Sequence, residues 1–266
     1  MQIIGEKING TRKRVAEAIA GRDGDFIRGL AREQAGAGAN LLDVNAGTAP
    51  GREPDDLVWL VKVVQEAVTV PLCLDSTNPL ALNEALKGVE RETMINSING
   101  DRERLANILP IVVAHNCTVI GLAMDESGIP KDVDGRMEKI RRIFAATLEA
   151  GLPDEKVYVD PLIMAISTDA QAGLTALESI RAIRREFPEA HITSGLSNIS
   201  FGLPARSHIN RTFLTLAIEA GLDSAIADPT NRELWESLLI TEMLLGRDPF
   251  CRRYTKAFKA GRIGTR

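Results

Sequence analysis

Short apolar, strand-like runs recur along this chain at intervals of roughly 30 residues with helix-like segments between them, the spacing of βα units that close into a barrel of about 250 residues. Several of these runs end in an amide or a carboxylate: LLDVN at Leu41 to Asn45, LCLD at Asp75, MIN at Asn96, VYVD at Asp160 and GLSN at Asn198. In such a barrel the C-terminal strand ends form the mouth, whereas the opposite ends serve mainly stability. The polar ends are therefore expected to converge on one cavity.

Along its whole length, the chain offers eight strands: Ile3 to Glu6, Leu41 to Asn45, Leu72 to Asp75, Thr93 to Asn96, Val119 to Met124, Val157 to Asp160, Ile192 to Leu196 and Ser224 to Asp228. Apolar residues return at three and four places over Asp55 to Val68, Arg102 to His115, Arg136 to Ala150, Leu174 to Phe187, Arg211 to Ala220 and Glu233 to Leu245, which reads as helices. Asp101 and Thr212 stand where first-turn or capping residues belong. The alternation predicts an α/β fold, a (β/α)8 TIM barrel. A doubly wound open sheet is the alternative, but no G-x-G-x-x-G follows the first strand.

The 266 residues are 44% hydrophobic and carry no linker rich in Pro, Gly or Ser, so one domain over residues 1–266 is expected. No run approaches the length of apolar sequence that a membrane span needs, and MQIIGEKING enters a strand without a leader-like pattern. A cytoplasmic protein with no membrane association is expected. A formal charge of -4 argues against general nucleic-acid binding, which rests on a broad basic face. Cys73, Cys117 and Cys251 are widely spaced with no C-x-x-C, and the first two lie in apolar runs as buried thiols would.

The strand ends direct attention to Glu6, Asn9, Asp43, Asn45, Asp75, Asn96, Met124, Asp160, Asn198 and Asp228. Any one of the acids could cap a helix or accept a loop N–H. Together they would bury several polar groups at a few kcal/mol each, which makes sense if a polar ligand satisfies them. Residue types that are missing narrow that ligand. No lysine ends a central strand for a Schiff base, Lys7 reading better as an ion-pair partner. His115, His191 and His208 are scattered, so no bound metal is expected. The phosphate-loop signal after the last strands is weak, since GLSNISFG carries glycine but Ala227, Asp228 and Pro229 do not. Carboxylates and amides alone suit a flat heterocycle with several N–H groups. A pterin is such a ring: its 2-amino group and N3–H present an adjacent donor pair to one carboxylate, and the other ring atoms need mixed partners such as Asn.

GEKING at Gly5 to Gly10, LDVNAG at Leu42 to Gly47, CLDSTN at Cys73 to Asn78, MINSIN at Met94 to Asn99, VDPL at Val159 to Leu162 and GLSNISFGLP at Gly195 to Pro204 form an ordered series. With INRTF at Ile209 to Phe213 and SAIAD at Ser224 to Asp228, it resembles the methyltetrahydrofolate:corrinoid-protein methyltransferases. These are relatives of the folate-binding domain of cobalamin-dependent methionine synthase and, more distantly, of dihydropteroate synthase. The resemblance implies a barrel of the pterin-binding type and a homodimer. It implies that Asp75, Asn96 and Asp160 hold the ring, that Asn198 faces N5, and that Arg206 meets the p-aminobenzoate and glutamate portion. Gly195, Ser197 and Phe201 belong to the same substrate-binding motif; Phe201 stands where some family members have glutamine, which leaves its contacts to the folate tail open.

The activity that the resemblance implies is transfer of a methyl group between N5 of tetrahydrofolate and the cobalt of a corrinoid, in a direction set by the pathway. The expected substrate is tetrahydrofolate or 5-methyltetrahydrofolate. No D-x-H-x-x-G pattern occurs, so the corrinoid (cobalamin) is expected on a partner corrinoid protein. Asn198 and Asp75 are the catalytic candidates, the first hydrogen-bonding N5 and the second linking the ring to a proton source. A condensing enzyme like dihydropteroate synthase and a non-catalytic pterin-binding subunit remain as alternatives. The cations Arg252, Arg253, Lys256, Lys259, Arg262 and Arg266 read as a solvated helix and tail, with a docking role as the alternative.

Overall fold

Side-chain alternation along each strand decides what fills the centre of a barrel and what faces its helices. The computed structural model describes residues 1–264. Its first half runs β1 (Gln2–Asn9), α1 (Lys13–Gly21), α2 (Gly24–Gly36), β2 (Leu41–Asn45), α3 (Glu53–Gln65), β3 (Leu72–Asp75), α4 (Pro79–Leu86), β4 (Thr93–Asn99) and α5 (Arg102–Ala114). The second half runs β5 (Thr118–Leu122), α6 (Val133–Glu149), β6 (Val157–Asp160), α7 (Ala172–Glu186), β7 (His191–Ile192), α8 (Arg206–Ala220), β8 (Ser224–Ala227), α9 (Arg232–Leu244) and α10 (Arg252–Lys259).

The strands pair in parallel in the order β7-β6-β5-β4-β3-β2-β1-β8. The ring closes just beyond β7, where the Ile226 N–H donates to the Ser194 carbonyl at 2.9 Å and Gly195 bridges Ile226. This is the (β/α)8 barrel that the spacing predicts. On β2, Leu42 and Val44 face outward into the layer shared with the helices, and Leu72, Leu74, Ile95, Val119 and Val159 do the same on neighbouring strands. Inside, a small apolar plug of Ile4, Cys73, Met94, Ile120 and Tyr158 fills the middle. Below it the Tyr158 ring stacks on His191 at 4.4 Å, and the Tyr158 hydroxyl donates to Gln2 at 3.1 Å. The floor is thus sealed, and further along β2, β3, β4 and β6 the inward positions are Asp43, Asp75, Asn96 and Asp160.

Three strands fall where the sequence places them: β2, β3 and β6. Asp101 caps α5 by accepting the Arg104 N–H at 2.9 Å, as expected. Other expectations need correction. The seventh strand ends at Ile192, because the Gly- and Ser-rich TSGLSN stretch curls into a 3-10 helix at Leu196–Ser200 instead of extending to Leu196. Helix α8 begins at Arg206, so Thr212 lies inside it, with its hydroxyl donating to the His208 carbonyl at 2.9 Å. Sequence periodicity does not reveal α1, α2 and α4; the last opens on Asn78 and Pro79, with Asn78 accepting the Leu80 N–H at 3.0 Å. At the far end of α9, Arg253 pairs with Glu242, which also holds the Met1 amino group below the barrel, so this cation lies at the end opposite the mouth. Arg266 lies outside the described residues.

Candidate active site

Adjacent strands bring the polar ends together by register alone. Asp75 on β3 lies beside Asn96 on β4, and Asp43 on β2 lies beside Cys73. The Asn45 amide donates to Asp75 Oδ2 at 2.9 Å, and the Asn96 amide donates to Asp43 Oδ1 at 3.3 Å. Two amide–carboxyl pairs therefore span β2, β3 and β4. The Asn45 Oδ1 is buried without a partner, an acceptor that a ligand N–H could satisfy.

Asp160 reaches the same space from β6. Its Oδ1 accepts the Leu162 N–H at 2.7 Å, Leu162 being held at φ 62°, and the nearby Gly195 N–H also favours its ionised form. Gly195 also ties in Asn198, whose N–H donates to the Gly195 carbonyl at 3.2 Å. A Cβ on Gly195 would come within 3.1 Å of the Asn198 amide, so glycine leaves that side chain its room. Asn198 is exposed at the mouth and Ser197 is half-buried. Arg206 staples this segment, its Nη2 donating to the Ser197 carbonyl at 2.7 Å and its Nε to Ser200 Oγ at 3.0 Å. It also lies 5.9 Å from the ring of Phe201, which is 68% exposed.

The remaining strand-end candidates are bound up in turns and ion pairs. Glu6 pairs with Arg12 at 3.0 Å, and Asn9 accepts from the N–H and hydroxyl of Thr11. Asp228 holds the Thr230 turn and lies 3.5 Å from Lys7, which has the structural ion-pair role expected of it. Met124 packs half-buried, and Met164 sits exposed on the rim. The strand-end acids and amides from β2 to β6 thus bond to one another or to backbone N–H groups, whereas those at β8 and β1 are engaged in turns and ion pairs.

Two arginines were missed by sequence reasoning, because nothing in a helical pattern marks one arginine as buried. Arg104 of α5 clamps the loops that carry Asp75 and Asn96. Its guanidinium donates to the carbonyls of Ser97 at 2.7 Å, Thr77 at 2.7 Å and Ser76 at 3.3 Å. Arg136 of α6 is 1% exposed and donates from Nε to the Pro130 carbonyl at 3.2 Å.

Electrostatics divide the three acids. Burial, reinforced by the charge of Asp75, pushes the Asp43 carboxyl up to about 8 despite bonds from Asn96 and Cys73. The shift favours the protonated form of Asp43, which can donate as well as accept. Burial also raises Asp75, with Asn45 opposing, Glu53 adding to the rise and Arg104 opposing it. Asp160 is pushed up to about 6 by burial, against the stabilising N–H groups of Leu162 and Gly195 and the charge of Arg136. A carboxyl raised above its unfolded pKa of about 3.9 favours the folded state at low pH, and that contribution is lost as pH rises towards the folded value. Asp43→Asn is therefore expected to flatten the fall in stability between about pH 5 and 8 in denaturant titrations. An unchanged slope would show that Asp43 holds no proton there.

Known proteins share both the sequence pattern and the barrel. Residues 5–228 match the family model described as pterin binding enzyme. The chain is 41% identical over 266 residues to a methylcorrinoid:tetrahydrofolate methyltransferase of Eubacterium limosum, covering 99% of this chain and 98% of that protein. It is 32% identical over 237 residues to a methionine synthase of Mycobacterium tuberculosis, covering 84% of this chain and 20% of that protein. A dihydropteroate synthase of Yersinia pestis bound to a pterine-sulfa conjugate superimposes with a TM-score of 0.69 at 16% identity, over 92% of this chain and 93% of that one, a likeness of fold. Among the described residues no cluster of His, Cys, Asp or Glu could hold a metal ion, and no helix is long and apolar enough to cross a membrane.

Proposed function

This chain belongs to the pterin-binding enzyme family, and we propose that within it the protein is a methyltransferase moving a methyl group between N5 of tetrahydrofolate and the cobalt of a corrinoid protein. The 41% identity to the Eubacterium limosum methyltransferase over nearly the full length of both chains carries this reading, and the methionine synthase match covers 20% of that longer protein. The chemistry of the donor set fits the substrate. Asp160 offers a carboxylate for a pterin donor pair, while Asn96, Asp75 and the unpartnered Asn45 Oδ1 offer acceptors and a donor for the other ring atoms.

Each residue then has a task. Asp160 in its ionised form accepts the 2-amino and N3–H groups, and Asn96 and Asp75 fix the rest of the ring. Asn198, exposed on the 3-10 turn, offers its carbonyl to the N5–H and so favours the protonated amine, the better leaving group. Asp75, raised by burial yet half-open to the mouth, passes a proton towards N5 through water. Co(I) on the partner supplies the electron pair of the new Co–C bond, and the electrons of the broken N–CH3 bond stay on N5. In the opposite direction Asn198 orients unprotonated N5. Gly195 and Ser197 shape the turn, and Arg206, beside the exposed Phe201 ring, is assigned to the p-aminobenzoate and glutamate portion. A single domain over residues 1–266, a homodimer, a cytoplasmic location and binding of neither nucleic acid nor membrane complete this reading.

The pKa of about 6 at Asp160 gives the reading a pH signature. Ligand binds the ionised form, so affinity for 5-methyltetrahydrofolate should fall about ten-fold for each pH unit below that value and level off above it. Fluorescence titration across the acid range measures this. An affinity flat down to pH 4 would remove Asp160 from the pterin contact. A condensation assay with a dihydropterin diphosphate and 4-aminobenzoate tests the alternative, and no dihydropteroate is expected. Product formation proportional to protein would overturn the methyltransferase assignment.

A further inference from the structure

Glu53, the first residue of α3, is half-buried and has no part in the ring contacts described above. It is tied to the end of the neighbouring strand. Ser76, the residue after Asp75 and 3% exposed, donates its hydroxyl to Glu53 Oε1 at 2.5 Å, and the same hydroxyl oxygen accepts the Asn78 N–H at 3.0 Å. The Ser76 backbone is occupied as well: its N–H donates to the Asn96 carbonyl at 3.0 Å, and its carbonyl accepts from Arg104 Nη2 at 3.3 Å. With every polar group of Ser76 engaged, the Glu53 carboxylate is anchored to the residue next to Asp75. Its place in the first turn of a helix, where negative charge is favoured, adds to that anchoring.

We propose that Glu53 is a positioning residue for the methyl transfer, an anion anchored beside the Asp75 strand end that keeps on Asp75 the proton passed towards N5; the role in transfer rests on the proposed function. One carboxylate near another makes loss of the second one's proton harder. The groups around Asp75 leave Glu53 that part. From β2 it is faced by Asn45, whose amide donates to its Oδ2, and by Asp43, itself pushed up by burial, Asp75 and Glu6. On its own strand lies Cys73, a thiol raised by burial and by both acids. From the helices, Glu53 raises Asp75 and Arg104 opposes it. Arg104, which Asp101 also faces, directs its N–H groups to the carbonyls of Ser76, Thr77 and Ser97. Arg52, next to Glu53 in the chain, turns with Arg22 towards Asp56, and among the described residues no ion pair neutralises Glu53.

Glu53→Gln tests the charge alone, because a glutamine oxygen at the same reach still accepts the Ser76 hydroxyl. The Asp75 carboxyl resonance is titrated in the isotope-labelled, ligand-free protein, and single-turnover transfer from saturating 5-methyltetrahydrofolate to one Co(I) corrinoid protein is timed over the same pH range. Glu53→Gln should lower the Asp75 midpoint by about 0.5–1 pH unit and move the alkaline fall in rate down equally, a loss of about three- to ten-fold above the wild-type midpoint. Glu53→Asp, which keeps the charge, should restore most of both, whereas a merely structural role would leave the pH profile of Glu53→Gln where it was. An unchanged Asp75 midpoint in Glu53→Gln overturns the proposal, and so does a shifted midpoint with an unmoved rate profile. Failure of the proposed function shows separately, as no transfer by the wild-type protein at any pH; that result removes the role in transfer, and the midpoint still decides whether Glu53 holds the proton on Asp75.

Discussion

Asn198→Ala is expected to slow single-turnover methyl transfer about 10²–10³-fold while changing the affinity for 5-methyltetrahydrofolate by less than about three-fold. The asymmetry comes from where the side chain acts. Asn198 stands on an exposed turn, while Asp75, Asn96 and Asp160, to which the proposed function gives the ring, lie on the strands below it. In the proposed mechanism its hydrogen bond gains strength as N5 takes up its proton, which would stabilise the transition state more than the bound ground state. The turn itself is held by backbone bonds from Asn198 to Gly195 and from Phe201 to Asn198, and by the Arg206 staple, none of which the substitution removes. A rate constant unchanged in stopped-flow measurements, or a loss wholly in affinity, would transfer the N5 role to another residue.

The second large effect lies in binding. Asp160→Asn should weaken 5-methyltetrahydrofolate binding about 10²–10³-fold, the loss of two charge-assisted hydrogen bonds together with an amide donor turned towards a donor pair. The fold should survive, because an asparagine oxygen can still accept from Leu162 N–H, and removing a carboxyl raised by burial relieves the folded state at neutral pH. Equilibrium titration together with a thermal melt separates the two effects. Full affinity in a well-folded variant would show that the pterin is held elsewhere. At pH 5 the penalty should shrink, since the wild-type carboxyl is then largely protonated.

The arc of strand-end amides and carboxylates was legible in the sequence because β-structure makes it so: alternation sends Leu42 and Val44 outward and Asp43 and Asn45 inward by period alone. The family resemblance then distinguished Asp75, Asn96, Asp160 and Asn198 within it, a choice that alternation could not make. What the sequence hid has identifiable causes. Helix α4 was marked by Asn78 and Pro79 but reads equally as a turn. Helices α1 and α2 flank Gly21 and Gly24, which look like loop punctuation. The upward shift of the Asp43 pKa depends on its depth and on Asp75 beside it, which only the packed barrel supplies. Arg104 and Arg136 occupy helical positions where arginine is ordinarily solvated, and the clamping by the first and the burial of the second arise from packing that a helical pattern does not show.

Mixing the protein with 5-methyltetrahydrofolate and a corrinoid protein reduced to Co(I), and monitoring the Co(I) absorbance, tests the central claim most directly. The expected result is a loss of that absorbance in proportion to the protein added, with tetrahydrofolate formed in equal amount and the process running backwards from methylated corrinoid protein and tetrahydrofolate. Persistence of the Co(I) signal at every protein concentration, across a panel of corrinoid proteins and with 5-methyltetrahydrofolate shown to be bound, would contradict it.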